Sequence, residues 1–540
     1  MPIPLSILLK IPLILSLTSP ALCTLLVSAL ALAFNVRAGA TEPSAEEPVV
    51  MLSPYEVSAR SVAFEHWVKY RSPHFVIYSD ASPKDVERAL NQFEQLHLAA
   101  VKYFGRPAFK RAPTLIVLPS ERSDWRKLES TIAVEWSVAV SQPTRRLQAL
   151  VLVGYDWQGW LNGGDNVLLS SLGSAQLTDM KIEGPLWLSR GVGRFFETAQ
   201  FEDDAVILGK LSARARSLWR HGWLPWPVLF KVTSTSPQYT KKDGIKRFTG
   251  QSAAFVHYLL TERDPVWRER LMTWTAMLNA GQEPTEETFK SVFGHDWISW
   301  QTTMKAHVRD RRDKTARIEL TAAERNFPVV KVDLPPAEMR ELFVLSQILN
   351  QRKPASETAL DSLLTKGLET DALRELLAEA CLKWKRNAAA QEQLQALITG
   401  GSENPMVYIA RAEALLRTRV PAINLNASLD EGGEEIRRLC EKALELQPRH
   451  PDASTVLAWT EALGPDLTAE NVARIETLVR EQEGISSNQE IVMALVIAQD
   501  HTGQHAAARA GAQAVVDSPF ASKRAKQLAS SLLRELGTPH

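Results

Sequence analysis

The chain has 540 residues, 45% of them hydrophobic and 23% charged, with 62 basic and 62 acidic side chains. This usage excludes a disordered chain, and the length exceeds one ordinary core, so roughly two to four domains are expected. The charge balance leaves no overall basic footprint and argues against a nucleic-acid partner, and three cysteines without a CxxC pair exclude a disulfide scaffold or a cysteine metal or redox site.

Within the first 40 residues, Lys10 is the only charge before Arg37. Residues 11–34 are almost wholly apolar, interrupted at Thr18-Ser19-Pro20, and Ala38-Gly39-Ala40 offers a small-x-small cleavage site. We read 1–40 as a signal peptide. An uncleaved N-terminal anchor is the alternative, because about 20 apolar residues can span a bilayer. Cys23 follows Pro-Ala-Leu, which departs from a lipobox. Either way the remainder is expected to be exported, periplasmic or secreted in a bacterium, with membrane contact only if the leader stays uncleaved. That leaves Cys381 and Cys440 as the candidates for a single bridge.

Residues 41–62, with Thr41-Glu42-Pro43-Ser44, read as a linker. His74-Phe75-Val76-Ile77-Tyr78-Ser79 then predicts a strand. Ser82-Pro83 opens a helix whose apolar residues Val86, Leu90, Phe93, Leu96 and Ala100 follow a 3.6-residue period. Strands are predicted at 114–118 and 147–154, the latter apolar enough to be buried on both faces. From about 165 to 313 the pattern is mostly helical, and 314–335 reads as a second linker. Beyond 336 the composition shifts to Ala, Leu, Glu and Arg, and 13 of the 15 tryptophans lie before residue 301. Helix-sized segments recur at 435–446, 452–463, 471–483, 488–500 and 506–516. The starts at Asp452 and Asn488 are 36 residues apart, close to the tetratricopeptide (TPR) period. An insert at 419–433 breaks the repeat. Residues 336–540 resemble degenerate TPR-like helical repeats, which stack helix pairs and present a face to a protein partner.

The segment Pro185-Leu186-Trp187-Leu188-Ser189-Arg190-Gly191-Val192-Gly193-Arg194-Phe195 resembles the P-x-W-x-x-E-G-x-A-x-x-F stretch of the peptidase MA-like gluzincins. Phe248-Thr249-Gly250-Gln251-Ser252-Ala253-Ala254-Phe255-Val256-His257-Tyr258-Leu259 resembles that family's Y-x-Q-S-x-x-x-V-x-Y-L helix. The stretch from Trp67 to Ser79 resembles its first strand, and that from Gly281 to Gly294 its closing segment. The resemblance covers about 63–313, in order. It implies an α+β, gluzincin-like (zincin) domain followed by an all-α TPR-like repeat domain.

In that family a helix bearing H-E-x-x-H supplies two zinc ligands and a general base, and the second helix supplies a glutamate. Here the equivalent of the first helix falls at about 166–178. Its phase puts Ser170 and Ser174 at the histidine positions and Ser171 at the base, and no histidine occurs between His97 and His221. The third-ligand position carries Arg190. Arginine cannot ligate zinc, and a fixed cation within several ångströms of a divalent ion repels it by on the order of several kcal/mol. The resemblance therefore implies a site that has lost its chemistry, with no catalytic residues and no metal or other cofactor. Trp187, Arg190, Arg194 and Gln251 are left as candidates to line a binding cleft.

Other constellations are weaker. His501 and His505 have HxxxH spacing, but Gly503 suits a turn between two helices. Gly250-Gln251-Ser252-Ala253-Ala254 lacks the final glycine of a nucleophile elbow. Glu183 and Glu197 can pair with Arg190 or Arg194. Trp157, Trp160, Trp187, Trp219, Trp223 and Trp226 are core residues by default, or line the old groove. Arg214, Arg216 and Arg220 suit a solvated helix face. The expectation is a non-catalytic pseudopeptidase that binds a protein or peptide through the repeats and the old cleft. The alternatives are a divergent zinc metallopeptidase with unrecognised ligands and a purely structural envelope protein.

Overall fold

A computed structural model describes residues 64–537, except 107, 110–111, 121–146, 148–149, 153–166, 183, 219–221, 311, 313, 351–353, 430 and 484–488. The leader, the first linker, Glu183 and tryptophans 157, 160 and 219 lie outside the described residues. No helix among those described is long and apolar enough to cross a membrane.

A five-stranded sheet organises the first part. It comprises β1 (Val68–Arg71), β2 (Phe75–Ser79), β3 (Thr114–Leu118), β4 (Leu150–Leu152) and, much later in the chain, β8 (Val330–Val332). The order is β4-β3-β2-β1-β8, with β2, β3 and β4 parallel and both β1 and β8 antiparallel to their neighbours. Helix α1 (Pro83–Phe104) makes the crossover from β2 to β3. Ser82 caps it by accepting from the Asp85 N–H at 3.3 Å, and Pro83 supplies the helical φ of the first turn. Gly105, at φ 62°, closes it with an N–H bond to the Val101 carbonyl.

Alternation along the strands assigns each sheet face. Phe75, Ile77, Ile116 and Leu118 point to one core, shared with the apolar stripe of α1. Val76, Tyr78, Leu115 and Val117 point to a second core. On the first face lie α2 (Val167–Asp179) and α3 (Leu186–Glu197), which lie against each other, while α4 (Lys242–Thr261) covers α3. Helices α5 (Val266–Asn279), α6 (Glu286–Phe293) and α7 (Trp297–Arg309) complete this body around an aromatic cluster of Trp187, Phe230, Phe255, Trp274, Phe289 and Trp300. A small second sheet joins β5 (Gln200–Phe201), β6 (Ala205–Leu208) and β7 (Ala316–Glu319).

Residues 314–335 are not a linker. They carry β7, a short helix at Ala322–Arg325 and β8, each strand antiparallel to a partner more than 100 positions earlier. Helices α8 (Pro336–Asn350), α9 (Pro354–Lys366) and α10 (Asp371–Lys383), expected to open the repeats, form the other layer over the sheet. In the first turn of α8, Glu338 accepts from Lys69 Nζ at 2.7 Å and from the Tyr78 hydroxyl at 2.9 Å, fixing that helix to β1 and β2.

The chain continues as antiparallel helix pairs: α11 (Asn387–Thr399), α12 (Pro405–Arg419), α13 (Gly433–Leu446), α14 (Pro451–Ala462), α15 (Ala469–Glu481), α16 (Gln489–His501), α17 (His505–Asp517) and α18 (Lys523–Gly537). Each meets its sequence neighbour, and α12, α14, α16 and α18 also meet one another in turn. That layered pairing is the helical repeat expected from the spacing, and the helix positions agree to within about two residues.

Candidate functional site

The contact between α2 and α3 is where the sequence placed a degenerate metal site. The structure does bring these residues together. Ser170 and Ser174 face α3, and the Ser174 hydroxyl lies 2.8 Å from the Ser189 carbonyl and 3.0 Å from the Ser170 carbonyl. The approach is close because α3 has a glycine at the crossing. A Cβ on Gly193 would sit 2.5 Å from Ser174 Oγ and 2.6 Å from the Ser170 carbonyl. Gly173 meets Phe196 in the same way, and Gly191 lies against Val256 and the Ser252 carbonyl of α4. Small residues thus let three helices touch backbone to backbone. Ser170, Ser171 and Ser174 are half-buried, and their hydroxyls supply neither imidazole nor carboxylate for a divalent ion. Among the described residues no group of three or more His, Cys, Asp and Glu side chains is arranged to hold a metal.

Arg190 is half-buried. Its Nη2 donates to the Tyr239 hydroxyl, and its guanidinium carbon lies 5.2 Å from the centre of the Tyr239 ring. Tyr239 belongs to the short helix Pro237–Thr240 and rests edge-on against Phe248 at 5.9 Å. Arg190 Nε is buried without a hydrogen-bond partner, and no carboxylate among the described residues forms an ion pair with this side chain. Arg194 behaves differently. One turn on, it pairs with Glu197, whose side chain is 1% exposed. That is a structural ion pair inside the helix end.

Two cleft candidates are corrected. Trp187 is fully buried, edge-on to Phe230 at 5.4 Å and to Phe255 at 5.3 Å, so its ring fills the core instead of lining a groove. Gln251 is also fully buried. Its amide clamps the backbone of Leu224, accepting from N–H at 2.7 Å and donating to C=O at 3.0 Å, which leaves no amide face for a ligand. The cysteine candidates do not bridge. Cys381 and Cys440 are separate buried thiols, and burial pushes the Cys381 thiol up to about 12. His501 ends α16 and His505 begins α17, with Gly503 at φ 77° in the turn between them. The His501 ring bonds the Leu425 carbonyl at 3.3 Å and the His505 ring bonds Asp500 at 2.9 Å, so the two do not converge.

Sequence reasoning missed a polar cluster beneath α2. His74 Nδ1 bonds the buried Glu94 carboxylate at 2.7 Å, and Glu94 also accepts from Ser72 Oγ at 2.6 Å and from the His74 N–H at 2.8 Å. Burial alone raises the Glu94 pKa, but these donors overcome it and hold the carboxyl below its usual range. The His97 ring stacks on His74 at 4.0 Å and bonds Gln176 of α2 at 2.6 Å. The signal was present as Glu94 and His97 three residues apart on the buried face of α1. A second buried pair joins His257 Nδ1 to His307 Nε2 at 2.9 Å, with burial holding them near pKa 3 and 4. Both clusters tie helices together inside the core.

The repeat helices are also engaged internally. Leu147 is fully buried among Leu394, Leu397, Met406 and Ala453. Its N–H donates to Glu379 at 3.2 Å and its carbonyl accepts from Asn404 at 3.0 Å. Lys181 pairs with Asp452 at 2.7 Å, and the Phe109 ring meets His450 at 5.3 Å. The inner helices α10, α12 and α14 therefore already hold the α/β body.

No family model matches the chain, and no curated protein matches it. Among solved structures, a thermophilic TPR protein of Thermus thermophilus aligns with 36% of this chain and 94% of its own, at 16% identity and a TM-score of 0.25.

Proposed function

We propose that this chain is a non-catalytic binding or scaffolding protein of the bacterial envelope or exterior, with a gluzincin-like domain that has lost its metal site and a TPR-like helical repeat. The observation that carries this reading is the α2–α3 contact. Ser170 and Ser174 stand where imidazoles would be needed, Gly193 lets the helices close on them, and Arg190 stands in place of the acidic ligand. A cation at that corner opposes a divalent ion and favours a carboxylate. With no acidic partner among the described residues and an unpartnered Nε, Arg190 supports the further proposal that the old cleft takes a carboxylate-bearing group of a protein or peptide ligand. Because α10, α12 and α14 already hold the body, a protein partner of the repeat is assigned to surfaces away from those helices.

The test is elemental analysis of the purified full-length protein, together with hydrolysis of an unfolded protein substrate with and without chelator. We expect no stoichiometric zinc and no chelator-sensitive cleavage. Stoichiometric zinc with chelator-sensitive hydrolysis would establish the metallopeptidase alternative instead.

A further inference from the structure

Helix α18 carries an organised polar stripe. Lys523, Lys526, Gln527, Ser530, Ser531 and Arg534 recur at three- and four-residue steps and line one wall of a groove of about 640 Å³. The opposite side of the helix, with Ala525, Ala529 and Leu532, is buried in the repeat core. The facing wall is the turn after α5, at Ala280, Gly281 and Gln282, and it carries no charge. Gly281, at φ 85°, has open space where a Cβ would stand. The next residue, Glu283, pairs with Lys231 at 2.5 Å and is not among the lining residues. Lys523, Lys526 and Arg534 have no carboxylate partner among the described residues, whereas Ser531 Oγ braces the Arg534 guanidinium at 3.1 Å.

We propose that this groove binds an acidic peptide segment of a partner protein. At 1.5 Å per residue, the stripe from Lys523 to Arg534 runs about 16 Å, the length of about five residues of extended peptide. Lys526 and Arg534 are about 12 Å apart along the helix axis, too far to converge on one phosphate. The lining has no aromatic ring on which a base could stack, which disfavours single-stranded nucleic acid. The apolar side of α18 is packed inward, so the helix has no apolar face to insert, which disfavours a lipid surface. An extended chain with carboxylates spread along it meets all three cations, while Gln527, Ser530 and Gln282 can bond its backbone.

This inference rests on the binding-protein reading and gives it one docking surface. Full-length protein is titrated into a labelled Glu-Ser repeat peptide and into its Gln-Ser counterpart, with fluorescence anisotropy as the readout. We expect binding of the acidic peptide only, weakened at least about tenfold by combined Lys523→Glu, Lys526→Glu and Arg534→Glu, and weakened by added salt. Gln282→Trp, which fills the neutral wall and leaves every charge in place, is expected to weaken it as well. Equal binding of the Gln-Ser peptide, unchanged affinity in both variants, or tighter binding of an oligothymidylate or of anionic phosphatidylglycerol vesicles overturns the proposal. Failure here leaves the metal analysis untouched, and zinc-dependent hydrolysis would leave this groove untouched, so the two readings fail separately.

Discussion

His450 makes the junction between the α/β body and the repeat sensitive to acid. The residue is fully buried at the start of α14, beside the Phe109 ring, and neither ring nitrogen has a hydrogen-bond partner. Burial penalises the imidazolium, attraction to Asp452 offsets part of that penalty and repulsion from Lys181 adds to it, so the pKa falls from 6.5 to about 4. Because the folded pKa lies below the unfolded one, the unfolded chain binds the extra proton first. Stability is therefore fully present above about pH 6.5 and declines as the pH falls toward 4. The loss is about 1.4 kcal/mol near pH 5.5 and about 3 kcal/mol near pH 4. His450→Leu keeps an apolar side chain of similar bulk and removes the titration. We expect the stability of the variant relative to the parent to rise by about 3 kcal/mol between pH 7 and pH 4, read from paired urea denaturations. Using the difference cancels the other histidines and carboxylates, which titrate in both proteins. A difference that stays flat across this window refutes the reasoning.

Two further perturbations probe the packing. Gly193→Ala would ordinarily stabilise a helix by about 1 kcal/mol, yet here the new methyl meets Ser174 Oγ and the Ser170 carbonyl; we expect a net loss of about 1–3 kcal/mol, and a higher melting temperature would show that the helices are not in contact. Glu375, buried and bonded by Asn404 Nδ2 at 3.1 Å, has its pKa raised by burial to about 8. Its folded pKa exceeds the unfolded 4.5, so its contribution is complete below that value and is lost as the pH rises toward 8. Glu375→Gln should therefore leave stability near the parent's at about pH 4.5 and exceed it by on the order of 4 kcal/mol near pH 8, and the same difference at both pH values would refute the shift.

Much of the fold was legible because local signals agreed with tertiary context. Ser82-Pro83 started α1 where the cap requires it, and residues 452–463 and 471–483 fell on α14 and α15 to within two positions. Ser170 and Ser174, paired by their four-residue spacing, both turn to α3. What escaped depended on distant partners. The three residues Val330-Lys331-Val332 alternate as a strand does but are too short a run to stand out, and they become β8 by pairing with β1. Trp187 read as a cleft residue because a sequence motif carries no information on depth, and Phe230 and Phe255 decide that it is core. The His74–Glu94–His97–Gln176 cluster joins the residue before β2 to α1 and α2, and only its Glu94–His97 spacing was visible beforehand.

The second layer over the sheet changes what the repeat can be. Val76, Leu115 and Val117 are buried against α8–α10, and so is the Tyr78 ring, whose hydroxyl is held by Glu338. At about 2 kcal/mol for each large apolar side chain, withdrawing those helices would expose surface worth roughly 8 kcal/mol, within the range of a domain's whole net stability. The Leu147 clamp and the Lys181–Asp452 pair extend the same attachment through α12 to α14. These attachments thus engage helices between residues 336 and 462. The basic stripe of α18 faces the body in another way, with cations that have no acidic partner among the described residues set across a groove from the neutral turn after α5. Lys523, Lys526 and Arg534 have no acidic partner among the described residues, so their charge along one wall of the groove is available to a ligand that carries carboxylates.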